Sequence, residues 1–366
     1  MSQQLLFVVI AFIVSAACGF ITIPLIIGYC KRRHIYDQPG ERKVHQRAIP
    51  RLGGVSFLPS MLISSLLCIA VLEGAINHKE VTLSLWSLMF FASLLIIYVT
   101  GILDDLVGLP PMTKFVAQIV AASLLPLSSL WLDEGYGFLG VTDIPALVGM
   151  PLTVLVVVLI DNAINLIDGI DGLAGGLSFL ALAGFLYAFM REGLWAYSVL
   201  IAGLMGVLIP YLYFNVWGNA DRGTKIFMGD SGSLTLGFIL AFLLIKFASN
   251  CNHALPDRHD GLLLPFTLLV VPVFDVFRVV LYRLRHRQPL FRADKHHIHH
   301  KLLDMGLSQH RALFCILVLS LVFVVVNVLL WDVVGWRITR IVLVDILLYV
   351  AFNLWINGRI ARRRQR

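Results

Sequence analysis

Two adjacent carboxylates, Asp104 and Asp105, close one of the long apolar stretches of the sequence. Like charges about 4 Å apart repel by on the order of 4 kcal/mol at an effective dielectric of 20. A cation or a shared proton relieves that repulsion, so the pair suits a metal site or a general base. Taken alone, it suits a solvated helix end equally well. Further along, residues 161–173 read DNAINLIDGIDGL. Asn162 and Asn165 are three apart, as are Asp168 and Asp171, so each pair shares a face if the segment stays helical. A glycine follows each of the latter two aspartates and allows backbone to approach a ligand. Amides and carboxylates at this spacing suit a nucleotide base, a ribose or a hydrated metal. An Asn/Asp/Gly turn is the alternative, but a turn does not need two Asn and two spaced Asp between strongly apolar segments.

Three more segments carry reactive residue types. Phe227 to Ser233 reads FMGDSGS. Small residues after Asp230 at a helix start leave N–H groups for phosphate, and Asp230 beside them suits Mg²⁺. Plain N-capping is the simpler reading. Residues 293–300 read ADKHHIHH. Zinc ligation is one use of such histidines. With Arg283, Arg285 and Arg287 upstream, diphosphate recognition is the favoured one. Residues 36–45 read YDQPGERKVH, and PRLGG follows at 50–54. Asp37 and the Pro-Arg-Leu-Gly-Gly run point to a shaped loop rather than a bare row of topology charges. Lys114 opens another apolar segment, as a snorkelling residue or a phosphate contact.

The elements that must position these groups are membrane helices. The chain of 366 residues is 58% hydrophobic and 14% charged, against about 25% charged residues in soluble domains. Eleven apolar segments lie near 4–30, 53–75, 83–101, 115–132, 145–160, 173–190, 195–214, 232–249, 261–281, 312–331 and 337–357. Continuous runs of this length are helices rather than barrel strands. The expected fold is an all-α polytopic bundle in one domain, 1–366, with the first segment retained rather than cleaved. Lysine and arginine concentrate in 31–52, 282–311 and the C-terminal tail. This places the N-terminus outside and the C-terminus in the cytoplasm. The loops 31–52, 102–114, 161–172, 215–231 and 282–311, which hold every motif above, then share the cytoplasmic face. The net charge of +7 is a sidedness signal, not a nucleic-acid footprint. The five cysteines have no metal or redox spacing and read as buried free thiols.

In order, DQPGERKVH, PRLGG, LDD, NAINLIDGIDGL, FMGDSGS and HHIHH resemble the polyprenyl-phosphate N-acetylhexosamine-1-phosphate transferase family, from Asp37 to His300. HIHH followed by Lys301-Leu302-Leu303, together with Arg222 and Lys225, is similar to the branch that uses N-acetylglucosamine. The phospho-MurNAc-pentapeptide branch is the alternative. Leu106-Val107-Gly108 departs from members that carry another acid there, so no role for such an acid transfers. The resemblance implies a UDP-N-acetylhexosamine donor, undecaprenyl phosphate as acceptor, UMP release and Mg²⁺ with Mn²⁺ as a substitute. It also implies a location in the bacterial inner membrane with the active site on the cytoplasmic face, and it is compatible with a homodimer. The product would be the lipid-linked diphosphate sugar that starts a cell-surface polysaccharide. By the same resemblance Asp104, Asp105, Asp168 and His297 are catalytic, and Asp230 with Asp105 holds the metal. Asp37, Lys114, Asn162, Asn165, Asp171, Asn215, Arg283, His299 and His300 bind substrates, with Asp171 at the uracil. A transporter would instead use charges near the bilayer midplane, and Asp275, Arg278 and Asp345 are the candidates. Asp275 and Arg278 are spaced to pair on one helix.

Overall fold

The computed structural model describes residues 2–38, 47–76, 85–250, 259–289 and 296–365. Residues 39–46 of the first basic loop, Ala293 to Lys295 of the histidine motif, and Cys251 lie outside the described residues. Twelve helices are described: α1 (Ser2–Arg33), α2 (Phe57–Ile76), α3 (Leu85–Val107), α4 (Pro111–Leu127), α5 (Ala146–Ile167), α6 (Leu173–Arg191), α7 (Trp195–Leu212), α8 (Asp230–Ala248), α9 (Leu263–Arg285), α10 (Ile298–Asp304), α11 (Gln309–Val328) and α12 (Ile338–Arg364). Among the described residues nine helices are long and apolar enough to cross a membrane, and Gly53–Cys68 and Pro111–Leu127 form two shorter apolar helices. Each expected apolar segment therefore carries a helix. Large apolar side chains such as Leu88, Leu147, Leu155 and Val325 face outward, as lipid rather than water requires.

Several features depart from the expected pattern. Helix α3 runs on to Val107 and α12 to Arg364, and α10 lies within the expected loop 282–311. Two small hairpins interrupt the all-α chain: β1 (Tyr36–Asp37) pairs antiparallel with β2 (Ile49–Pro50), and β3 (Glu134–Phe138) with β4 (Val141–Asp143). Helix α4 begins earlier and ends earlier than 115–132. Pro111 occupies its first turn, where the missing N–H costs nothing, and it stops after Pro126 and Leu127. Helix α5 continues beyond 160 to Ile167, because Asp161, Asn162 and Asn165 are polar but remain helical.

Helix α8 is the central pillar. Every residue from Ser231 to Ala248 is buried, and α2, α3, α5, α6 and α9 pack around it. Contact with α3 is close because Gly101 faces its first turn, where a Cβ would come 2.6 Å from Ser231 Cα. Asp105, one turn after Gly101, is thereby brought onto the start of α8. At the far end Tyr136 of β3 donates its hydroxyl to Ala248 O at 2.9 Å, and Asn250 N–H donates to Asp133 Oδ1 at 2.7 Å. The β3–β4 hairpin thus closes the end of the bundle opposite the polar motifs. Of the described cysteines, Cys30 and Cys68 are buried free thiols, whereas Cys18 and Cys315 are partly exposed.

Candidate active site

A cavity of about 790 Å³ opens at the motif-bearing end of the bundle. Nine of the residues singled out in the sequence line it: Asp37, Asp104, Asp105, Asn165, Asp168, Asp171, Asn215, Asp230 and His300. Lys114 reaches it through its bonds to Asp104 and Asp230. Asn162, Arg283, His297 and His299 are not in its wall.

The acidic centre is built where α3, α4 and α8 meet. Lys114 Nζ lies 3.1 Å from Asp104 Oδ2 and 2.6 Å from Asp230 Oδ2, so one ammonium holds two carboxylates together. Leu109 N–H donates to Asp104 Oδ1 at 2.7 Å and closes the turn between α3 and α4. Asn165 donates to Asp230 Oδ1 at 3.2 Å and to Ser233 Oγ at 2.8 Å. Asp105 points the other way and is 3% exposed. Its two oxygens accept the backbone N–H groups of Asp230 and Ser231, each at 2.9 Å. The free N–H groups expected for phosphate at the start of α8 are therefore taken by Asp105, in the manner of a cap supplied by another helix.

The opposite wall is the turn between α5 and α6. The helix ends at Ile167, so Asn162 and Asn165 share a helical face, whereas Asp168 and Asp171 lie in the turn. Asp171 pairs with Lys225 at 2.6 Å. Asn215 lies in a five-residue π-helical turn, Tyr213–Trp217, that ends α7; such turns recur at functional sites. Asn215 accepts Gly172 N–H at 2.6 Å and donates to Ile226 O at 2.8 Å. It therefore clamps the segment before α8 onto the start of α6. Asp168 lies half-buried in the cavity wall, and its carboxyl is raised from 3.8 to about 7. Burial is the main cause, with the charges of Asp230, Asp171 and Asp105 adding to it. Asn162 turns away from the cavity and donates to Gln118 Oε1 at 2.9 Å; Gln118 in turn donates to Asp161 Oδ2 at 2.9 Å. Gln118 belongs to none of the sequence motifs; its one signal is a polar side chain a helical turn after Lys114 in an apolar helix.

The histidines are organised by Asp275 of α9, which is 1% exposed. Its Oδ2 accepts His297 Nδ1–H at 2.8 Å. Its Oδ1 receives Ile298 N–H at 3.0 Å, Arg278 at 2.8 Å and the Tyr349 hydroxyl at 3.2 Å. Arg278 also donates to His296 O. Asp275 and Arg278 do pair, as their spacing predicts, and they fasten α10 to α9 and α12. His299 is buried against Gly169. Burial, with the neighbouring His300 next, lowers it from 6.5 to about 3, so it is a neutral ring. Neither of its ring nitrogens has a hydrogen-bond partner among the described residues. Arg283 is buried in the last turn of α9. Of the four candidates at this end, only His300 meets the cavity. Asp345, the other intramembrane acid, accepts from Asn327 at 2.9 Å, and Asn327 also donates to Thr267 at 2.8 Å.

Among the described residues no three His, Cys, Asp or Glu side chains group as a metal site, which gives the zinc reading of the histidines no support there. A divalent cation of the Mg²⁺ kind fits the acidic centre differently. It is commonly held by one or two carboxylates with the substrate's phosphates completing the shell. Asp104 and Asp230 already converge on a single cationic group, Lys114.

Residues 86–248, from the start of α3 through α8, match the model of glycosyl transferase family 4. The chain is 31% identical to the probable undecaprenyl-phosphate N-acetylglucosaminyl 1-phosphate transferase of Bacillus subtilis (strain 168), covering 92% of this chain and 88% of the relative. It is 32% identical to the decaprenyl-phosphate N-acetylglucosaminephosphotransferase of Mycobacterium leprae (strain TN), covering 76% and 72%. It is 26% identical to the undecaprenyl-phosphate alpha-N-acetylglucosaminyl 1-phosphate transferase of Yersinia pestis, covering 95% and 90%. The chain belongs to the polyprenyl-phosphate N-acetylhexosamine-1-phosphate transferase family. The family 4 match contains the whole acidic centre and both sides of the Asn215 clamp. It ends before Asp275 and the histidines, which are covered only by the longer similarity to the relatives. This transferase is thus a multi-pass membrane protein whose polar motifs meet at one end of an apolar bundle.

Proposed function

We propose that the chain transfers N-acetylglucosamine-1-phosphate from its UDP derivative to undecaprenyl phosphate, releasing UMP. The convergence of Asp104, Asp230 and Lys114 in a cavity at the end of apolar helices carries this reading. It combines an acidic, cation-holding centre with immediate access from lipid. The names of the relatives supply the sugar and the polyprenyl phosphate.

An acceptor phosphate oxygen attacks the β-phosphorus of the donor. The bond from that phosphorus to the oxygen bridging to the α-phosphate breaks, and UMP leaves with the electron pair. Both reactants are anionic, so the chain must hold negative charge together and orient it. When bound, Mg²⁺ would neutralise the diphosphate; Asp230 and Asp104 are the residues that would hold it. Lys114, between those carboxylates, would also offer its ammonium to a substrate phosphate. Asp104, 3.1 Å from Lys114 Nζ and in the cavity wall, is placed to keep the acceptor phosphate deprotonated. Asp105 is a positioning residue, because both its oxygens hold the first turn of α8 and so aim Asp230. Asp171 and Lys225 form the recognition wall for the uracil, and His300 with Arg47 and Arg51 offers donors to the diphosphate and sugar. Incubating the purified protein with undecaprenyl phosphate and a panel of UDP-sugars tests the reading. The expected result is UMP and a lipid product whose mass adds N-acetylglucosamine-1-phosphate; a panel with no UMP release would overturn it.

Eleven crossings, an external N-terminus and a cytoplasmic cavity complete the proposal, carried by the basic loops at the cavity end. A cysteine introduced near Asp133 should react with an impermeant thiol reagent in intact cells, and one near Asp221 should not. Reversed labelling would invert the orientation.

A further inference from the structure

A second concavity, about 490 Å³, lies between the end of α10 and the last turns of α12, lined by Met305, Trp355, Arg359, Arg362 and Arg363. It shares no lining residue with the acidic cavity. No acidic side chain lines it among the described residues. We propose that this groove binds the phosphodiester headgroup of an acidic glycerophospholipid.

Sidedness explains how many arginines the tail carries but not where they are placed, because the positive-inside bias counts charges without arranging them. Trp355, Arg359, Arg362 and Arg363 are spaced i, i+4, i+7 and i+8, which puts them on one face of α12. The Arg359 guanidinium lies 5.7 Å from the centre of the Trp355 ring, within cation–π range. Arg363 donates to Asp304 O at 3.2 Å and lies over Gly306, where any Cβ would displace it. Gly306 has a φ of +101°, which fits it to close α10 and leaves that room. Leu348, two turns before Trp355 on the same face, is exposed, and Leu343, Leu347, Val350 and Leu354 form an exposed apolar stripe on the neighbouring face of α12. A tryptophan between such a lipid-facing stripe and a cluster of guanidiniums marks headgroup depth. Guanidiniums recognise phosphate oxygens by paired N–H bonds. Charge complementarity and the adjoining apolar stripe select an anionic lipid over a soluble anion.

The groove also touches the working end of the protein. Lys301 of α10 donates to Asn357 of α12 at 3.1 Å, and the preceding residue, His300, lines the acidic cavity. A lipid seated between α10 and α12 would steady the helix that presents His300.

Native mass spectrometry of the delipidated full chain, titrated with dioleoylphosphatidylglycerol or dioleoylphosphatidylcholine, tests this without turnover. It is therefore independent of the transferase reading. Phosphatidylglycerol should bind about tenfold or more tightly than phosphatidylcholine, and inorganic phosphate should not compete. The variant Arg359→Gln/Arg362→Gln/Arg363→Gln should lose that preference. Met305→Trp, which fills the groove while keeping every charge, should lose it too. Arg337→Gln/Arg340→Gln, at the other end of α12, should keep it. Wild-type retention of phosphatidylglycerol by either groove variant, or competition by inorganic phosphate at the wild-type groove, would overturn the proposal.

Discussion

The acidic and histidine halves of the site use their polar residues in opposite ways. Around α3, α5 and α8 the carboxylates Asp104, Asp168, Asp171 and Asp230 line the cavity, with Lys114 between Asp104 and Asp230 and Lys225 on Asp171. Around α9, α10 and α12 the motif is used differently: His297 goes to Asp275, His299 packs on Gly169, and of the described histidines only His300 lines the cavity. The first half places charge where a substrate would be, and the second builds the wall that keeps it there. Buried polar networks of the second kind are costly when one member is lost, so the halves should fail differently.

The largest effect should come from Asp230→Asn, which keeps shape but removes the charge proposed to hold a cation. A loss of about 10²–10³ in kcat is expected, the magnitude seen when a group that stabilises the transition state is removed. The thermal midpoint should move little, since the change also relieves repulsion with Asp104. EDTA should abolish wild-type turnover, and Mg²⁺ or Mn²⁺ should restore it. Full turnover in chelator would mean that Asp230 and Asp104 hold no cation the reaction needs.

Asp275→Asn should instead strike stability first. It leaves Arg278, whose side chain is 18% exposed, without its counter-charge, and it cuts into four hydrogen bonds. Stranding a buried charge costs about 3–5 kcal/mol, and the lower figure applies because Arg278 keeps some water. Denaturant or thermal unfolding in detergent measures this. A variant as stable as wild type would mean that Asp275 does not hold the histidine wall.

Sequence legibility follows the same division. The apolar segments, and the meeting of the acidic motifs at one end, were readable because hydropathy and spacing are local properties. The end of α5 was not, because hydropathy marks where polarity begins rather than where helical hydrogen bonding stops. The two hairpins are short and lie between strong helices, so they left no periodic signal. Asp105 and Asp104 are neighbours of the same type, and only α8, more than a hundred residues later, makes one a helix anchor and leaves the other facing the cavity. For the histidines, spacing announced a functional tract but not which ring would reach the cavity. Asp275 decides that, and it looked in the sequence like half of an isolated pair.

Within the acidic half, the recognition wall should separate from the reacting centre. Asp171→Asn weakens the pair with Lys225 and any hydrogen bond to the nucleobase. Hydrogen bonds to charged groups contribute about 1.5–3 kcal/mol, which is roughly a ten- to hundredfold rise in the donor KM. Because the proposed role of Asp171 is at the nucleobase and not at the reacting phosphates, kcat should change far less. Steady-state kinetics with both substrates varied gives the split; an unchanged KM with kcat abolished would move Asp171 into the catalytic group.

The smallest effect has the opposite sign and concerns Asp168. Burial and three neighbouring carboxylates raise its carboxyl from 3.8 to about 7. The folded state therefore binds a proton more tightly at this position than the unfolded chain does. The stability this proton contributes is fully present below about pH 3.8 and is lost as pH rises through about 7. Above that pH the ionised carboxylate is held against the repulsion of its neighbours. Asp168→Asn removes the charge at every pH. Without divalent cation, its thermal midpoint should come closest to wild type near about pH 4 and exceed it by a growing margin as pH rises toward 8. Added Mg²⁺ should narrow the gap at pH 8, because a cation near Asp230 offsets the same repulsion. A variant less stable than wild type at pH 8 would show that the ionised Asp168 makes a bond the fold depends on, and the acidic half would then share the structural character of the histidine half.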